Sequence, residues 1–104
     1  MFGWGVPSVT VDELAAKLEQ GKQVLIDVRE PYEYAAGHVK GAVNIPLGQL
    51  AGKLNKFKPA AETFVICASG HRSGTAVRIM QRAGFENAYS VKGGTSRWRG
   101  KLAR

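Results

Sequence analysis

One stretch, Thr63 to Ala83, constrains this chain more than any other: T-F-V-I-C-A-S-G-H-R-S-G-T-A-V-R-I-M-Q-R-A. Thr63 to Ile66 is a continuous apolar and β-branched run, the pattern of a strand buried on both faces. Ser73 to Ala83 reads as a helix and is closed by Gly84. Between them Cys67 to Arg72 forms a short loop holding the only cysteine. Strand, tight loop and helix in that order put the loop at the carboxyl end of a central strand, where an α/β sheet holds its reactive crevice. The amides of Ala68 to Ser73 can curl into an anion-holding nest, the following helix adds positive potential, and both favour a thiolate over a thiol. Arg72 adds a permanent cation. A lone cysteine after an apolar strand is in most chains a small buried hydrophobe. The Ala-Ser-Gly-His-Arg-Ser that follows this one is too polar and too flexible for core, and points to function.

The rest of the chain arranges itself around that loop. Thr10 and Glu13 form a capping box with Val9 as a hydrophobic staple on Leu14; the helix they start carries Leu14, Ala15 and Leu18 and ends at Gly21. Gln23 to Asp27 is a short buried strand, so Asp27-Val28-Arg29-Glu30 emerges on the same sheet edge as Cys67 if the strands are parallel. Pro31 to Ala36 is a short helix opened by proline and stopped by Gly37. Asp27 and Glu33 are expected to bond loop backbone and nearby arginines rather than to do chemistry. His38, between Gly37 and Val39, is expected to be a packed residue with one ring N–H on a backbone carbonyl. Ala42 to Ile45 reads as another short strand and Pro46 to Lys58 as an irregular helix interrupted by Gly48 and Gly52. Ala88 to Val91 is the last strand. Gly93-Gly94 then makes a tight turn on the Cys67 edge, and Trp98 is expected to plug the core. Strands alternating with helices at these spacings predict an α/β domain with a parallel sheet.

At 104 residues the chain is one domain able to bury a modest core, and 44% apolar with 22% charged residues is the composition of a soluble globular protein. No apolar run is long enough to cross a bilayer, and the start lacks the basic and apolar regions of a signal peptide. These features predict a cytoplasmic protein, or a periplasmic one if a signal peptide has been removed. One cysteine excludes an internal disulfide and fits a reducing compartment. Residues 1–52 carry four Lys/Arg against six Asp/Glu, a net charge of −2; residues 53–104 carry eleven against two, a net of +9. The cysteine loop therefore lies in a basic half that attracts small anions or an acidic protein. The basic residues are not interleaved with stacking aromatics, which argues against a nucleic-acid partner. Residues 8–104 are read as the domain and residues 1–7, with Phe2 and Trp4, as an extension of unassigned role.

Several stretches taken together resemble the rhodanese family of sulfurtransferases: Asp27-Val-Arg-Glu-Pro-Tyr-Glu-Tyr-Ala-Ala-Gly-His38, Gly41-Ala-Val-Asn-Ile-Pro46, Cys67-Ala-Ser-Gly-His-Arg-Ser73, and Gly93-Gly94 followed by Trp98. The resemblance covers about residues 8 to 100. It implies a five-stranded parallel sheet with helices on both faces. It also implies that Cys67 is a nucleophile that takes a sulfane sulfur from a small anionic donor such as thiosulfate. The resulting persulfide passes to a thiol, a carrier protein or cyanide, without cofactor or metal. Ala68, Ser69, Gly70, His71, Arg72 and Ser73 would surround the anionic outer sulfur. Arg72 either meets the donor's anionic end or turns away to Glu33 or Asp27. Asp27, Arg29, His38, Gly93, Gly94 and Trp98 match family positions that look structural. Two rivals remain. Cysteine phosphatases and arsenate reductases need five residues between cysteine and arginine, and here four separate Cys67 from Arg72. A rhodanese-like binding module is the other, though such modules frequently lack the cysteine.

Overall fold

The computed structural model describes residues 5–104; Phe2 and Trp4 lie outside the described residues. Five strands form one all-parallel sheet: β1 (Ser8–Val9), β2 (Val24–Asp27), β3 (Val43–Asn44), β4 (Thr63–Ile66) and β5 (Ala88–Val91). Their spatial order is β1-β5-β4-β2-β3, so the cysteine-bearing β4 is central and β2 is its neighbour. In register, Asp27 stands beside Ile66, and the loops leaving both strands open on one edge.

The alternation of side chains along each strand splits the core in two. Leu25, Phe64, Ile66 and Val91 face one side, where they pack with Leu14 of α1 (Val11–Leu18) and with Tyr34 of α2 (Pro31–Ala36). Ile26, Val65 and Cys67 face the other. There they meet Leu50 of α3 (Leu47–Leu50), Leu54 of a following 3₁₀ turn (Ala51–Lys56), and Ala76, Val77 and Met80 of α4 (His71–Arg82). Helices thus cover both faces, as the apolar runs of the buried strands require.

Local signals set most boundaries. The Thr10 hydroxyl accepts the Glu13 N–H at 3.1 Å and the Glu13 carboxylate accepts the Thr10 N–H at 2.8 Å, so the capping box at α1 is complete. Differences from expectation have physical causes. β1 is a two-residue edge strand, too short to give a periodic signal; it exists because Val9 pairs with Val91 and Ser8 with Ser90. Residues 46–58 are not one irregular helix but a single α turn followed by 3₁₀. The expected strand at 42–45 shrinks to Val43–Asn44 because the Ala42 N–H turns back to the Val39 carbonyl. α4 begins at His71 rather than Ser73, since Gly70 in the left-handed region (φ 105°) releases the chain into the helix two residues sooner. Among the described residues no helix is long and apolar enough to cross a membrane.

Candidate active site

Cys67 follows the last residue of β4 and is fully buried, with its sulfur inside the curl of the loop. The Gly70 N–H donates to Sγ at 3.1 Å and the Ser73 N–H at 3.3 Å; the Ser73 Oγ lies 3.6 Å away. Burial has the largest influence on this thiol and raises its pKa. The Ser73 hydroxyl and the amides of Ser73, Gly70 and Ser69 act against burial, and their sum leaves the pKa below that of an ordinary cysteine. Of the six residues Ala68 to Ser73, then, the amides of Gly70 and Ser73 bond the sulfur at 3.1 and 3.3 Å, and that of Ser69 also acts on it. A second row lies beneath them. Ser73 Oγ is 2.7 Å from Ser90 Oγ on β5 and donates to the Gly70 carbonyl at 3.1 Å. Both serines are buried.

The turn after β5 closes the loop from the side. Thr95 N–H donates to the Cys67 carbonyl at 2.8 Å and Ser96 N–H to the Ala68 carbonyl at 3.0 Å. This approach requires glycine. Gly94 has φ 56°, and a Cβ there would overlap the Cys67 carbonyl oxygen and lie 2.7 Å from both the carbonyl carbon and oxygen of Ala68. Gly70 is also confined, since a Cβ would lie 3.3 Å from Gly93 N.

Arg72 is held by an acidic neighbour. Its two terminal nitrogens donate to the two carboxylate oxygens of Glu33 at 2.7 and 3.0 Å. Expected to serve either a donor or an acidic neighbour, its guanidinium engages the neighbour. Glu33 also accepts the Glu30 N–H at 2.9 Å, so one carboxylate ties the start of α2 to the start of α4. The Arg72 pairing, together with the Glu30 amide and the more distant Arg29, brings the Glu33 pKa down to about 2 despite some desolvation.

The remaining expected residues buttress the loop after β2. Asp27 is buried and receives the Arg29 N–H at 2.9 Å and its guanidinium at 2.9 to 3.1 Å; Arg29 also donates to the Gly37 carbonyl at 2.7 Å. His38 stacks on Tyr34, with ring centroids 3.6 Å apart, and its Nδ1 lies 2.8 Å from the Tyr34 carbonyl oxygen. Its backbone bridges Ala103. Trp98 packs against the cluster on the α1 face. Sequence reasoning did not single out Asn44, whose amide donates to the Asp27 and Arg29 carbonyls at 3.0 and 2.9 Å, nor Ser90. Asn44 sits inside a stretch already notable as Gly-Ala-Val-Asn-Ile-Pro; Ser90 carries no local signal, being one polar residue in a strand.

Two open clefts flank the loop and share Ser69, Lys92 and Gly93 as a common ridge. The larger, about 970 Å³, is bounded also by Thr10, Asp12, Arg97 and Arg99; the smaller, about 560 Å³, by His71, Thr75 and Arg78. Both reach Ser69, two residues along the loop from Cys67.

Fold and loop together define a class of small parallel α/β domain, one that holds a single cysteine in an amide-lined loop at the carboxyl end of its central strand. The chain belongs to the rhodanese-like domain family, whose model matches residues 10–101. Among relatives, it is 41% identical over 81 residues to YqhL of Bacillus subtilis, an uncharacterized protein, covering 78% of this chain and 64% of that one. It is 36% identical over 87 residues to the thiosulfate sulfurtransferase GlpE of Pseudomonas entomophila, covering 84% and 80%. The chain spans between about half and two thirds of the length of the two Bacillus subtilis relatives, 64% of YqhL and 52% of YrkF. Among solved structures, the human single-domain sulfurtransferase TSTD1 superposes with a TM-score of 0.85 at 30% identity, covering 90% of this chain and 96% of that one.

Proposed function

We propose that the protein is a sulfurtransferase that carries sulfane sulfur as a persulfide on Cys67, with thiosulfate as a competent donor. The observation that carries this reading is the pair of N–H groups, Gly70 and Ser73, aimed at a buried Sγ with a lowered pKa. The family and the names of GlpE and TSTD1 agree with it.

The chemistry runs in two halves. The Cys67 thiolate attacks the outer sulfur of thiosulfate; a Cys–S–S bond forms, the donor's S–S bond breaks, and its electron pair leaves with sulfite. An acceptor nucleophile then attacks the outer sulfur of the persulfide, and the electron pair of the broken bond returns to Sγ. No net oxidant is consumed. The outer sulfur is anionic, and loop amides stabilise it as they stabilise the thiolate. Because Cys67 is fully buried, a donor enters past Ser69, where the two clefts meet.

The orientation of Arg72 weighs against a phosphatase or arsenate reductase. Those reactions need a guanidinium over the loop to bind the oxyanion, and here it is committed to Glu33. A reducing compartment such as the cytoplasm suits a reaction cycle with a free thiol. The test is intact-protein mass after thiosulfate and then cyanide. Gain of one sulfur atom, absent in Cys67→Ala and released as thiocyanate, is the expected result; no gain from any sulfane donor would sink the proposal.

A further inference from the structure

Sulfur transfer begins with a thiolate, so the proton of the resting Cys67 thiol must leave a sulfur that is fully buried. The two amides aimed at Sγ, those of Gly70 and Ser73, are donors and cannot take it. The charged groups around the loop are engaged elsewhere or lie outside. Asp27 at the end of β2 is bonded to Arg29, and Glu33 of α2 to Arg72 of α4. His71 at the start of α4 and Lys92 after β5 are exposed. The side-chain oxygen within reach of the thiol is Ser73 Oγ, at 3.6 Å.

That hydroxyl is the first of a pair, since its Oγ is 2.7 Å from Ser90 Oγ. Ala88 of β5 packs into the core on the α4 face, and the alternation of the strand turns Ser90 the same way. A hydroxyl on an apolar face costs free energy unless it is hydrogen-bonded, and Ser73 is the partner that Ser90 meets there. Accessibility rises along the pair. Cys67 and Ser73 are 0% exposed, whereas Ser90 is 4% exposed and lines the smaller cleft, of about 560 Å³, with Ser8, His71 and Thr75. Sγ, Ser73 Oγ, Ser90 Oγ and the open cleft thus follow one another from the buried sulfur to solvent.

Taking the sulfur-transfer reading as its basis, we propose that Ser73 and Ser90 form the proton path of Cys67, and that the smaller cleft is where the proton reaches water. The thiol gives its proton to Ser73 Oγ as Ser73 passes its own to Ser90 Oγ and Ser90 passes its own to solvent in the cleft. One S–H bond breaks, one proton enters the solvent, and the electron pair stays on Sγ, so nothing is oxidised or reduced. A hydroxyl has a single proton, and that of Ser73, which rests on the Gly70 carbonyl at 3.1 Å, swings between this carbonyl, Ser90 and the sulfur. After the step both hydroxyls donate toward the sulfur, Ser90 to Ser73 and Ser73 to Sγ. The movement that removes the proton therefore leaves the thiolate with one more donor than the thiol had.

The experiment follows the ultraviolet absorbance of the Cys67 thiolate after a stopped-flow pH jump, with no sulfur donor present. Ser90→Val and Ser90→Thr have nearly the same shape and differ by one hydroxyl. Each protein is jumped across its own midpoint, so that a shifted pKa is not read as a changed rate. The relaxation is expected to be at least about 10-fold slower in Ser90→Val than in wild type, and within about twofold of wild type in Ser90→Thr. Equal relaxation in the two variants would overturn the path, because a hydroxyl that acts only through packing or its dipole moves the midpoint and leaves the corrected rate alone. Should Ser90→Val lose the native circular dichroism spectrum, Ser90→Ala, which adds no bulk, takes its place in the same comparison. The readout needs no turnover. If thiosulfate fails to load wild type while the relaxation still depends on the hydroxyl at position 90, the sulfur-transfer reading falls and the proton path stands; normal loading with equal relaxation overturns the path alone.

Discussion

Arg72 and Glu33, 39 residues apart in the chain, form a two-pronged ion pair at 2.7 and 3.0 Å that clamps the first turn of α4 to the first turn of α2. The clamp fixes the loop from outside, with the guanidinium held on the carboxylate.

Breaking the clamp should show in stability first. Glu33→Gln and Arg72→Ala are each expected to cost about 1–2 kcal/mol, a figure discounted for the partial exposure of both side chains. A double-mutant cycle by urea denaturation should find the two losses non-additive. The pH dependence has a definite sign. Because the folded Glu33 pKa is depressed to about 2 from an unfolded value of 4.5, its contribution is complete above pH 4.5 and is lost as pH falls toward 2. Wild type should therefore lose more stability over that window than Glu33→Gln; parallel curves would show that the pair contributes nothing.

Reactivity should follow the thiolate. Alkylation of Cys67 and the first half-reaction should both rise with pH through a midpoint below that of a free cysteine, then level off. Cys67→Ala should reduce turnover to background while retaining the native circular dichroism spectrum. A midpoint at or above the ordinary thiol value would mean that burial outweighs the loop donors.

The serine pair beneath the sulfur is expected to matter in graded fashion. Ser73→Ala removes a hydroxyl beside Sγ and should move the thiolate midpoint up. Ser90→Ala, which removes only the partner of that hydroxyl, should move it in the same direction by less, and Ser90→Thr should restore it. Thiolate ultraviolet absorbance against pH reads this directly. No shift in either variant would assign the serines to packing.

Glycine at 94 is expected to be irreplaceable. Gly94→Ala combines a left-handed φ of 56° with overlap on the Cys67 carbonyl and should cost more than about 3 kcal/mol, or prevent folding. Gly21→Ala, at φ 74° with open space around it, should cost only about 1–2 kcal/mol from backbone strain. Similar losses at the two positions would show that the close approach is not what demands glycine.

Asp27→Ala should be the most destabilising of the charge removals, about 3–5 kcal/mol, because it leaves the buried Arg29 guanidinium without its carboxylate. Chemical denaturation measures it, and a loss below 1 kcal/mol would show that the pair is solvated.

What could be read in the sequence was what is local along the chain. The Thr10–Glu13 capping box, the proline-opened turn at 31–36, the apolar run of β4 and the loop carrying Cys67 all rest on interactions within a few residues. What tertiary structure decided depends on which strands become neighbours. The order β1-β5-β4-β2-β3 sets β2 beside β4, and only that adjacency brings Glu33 to Arg72. It likewise sets β5 on the other side, which slides Ser90 under Ser73 and lays Gly94 against the Cys67 carbonyl. β1 itself exists only as the partner of β5, since two residues carry no periodicity of their own. Periodicity and capping act over one or two turns of chain, whereas the choice between donor and carboxylate for Arg72 is settled by distances that no local pattern encodes.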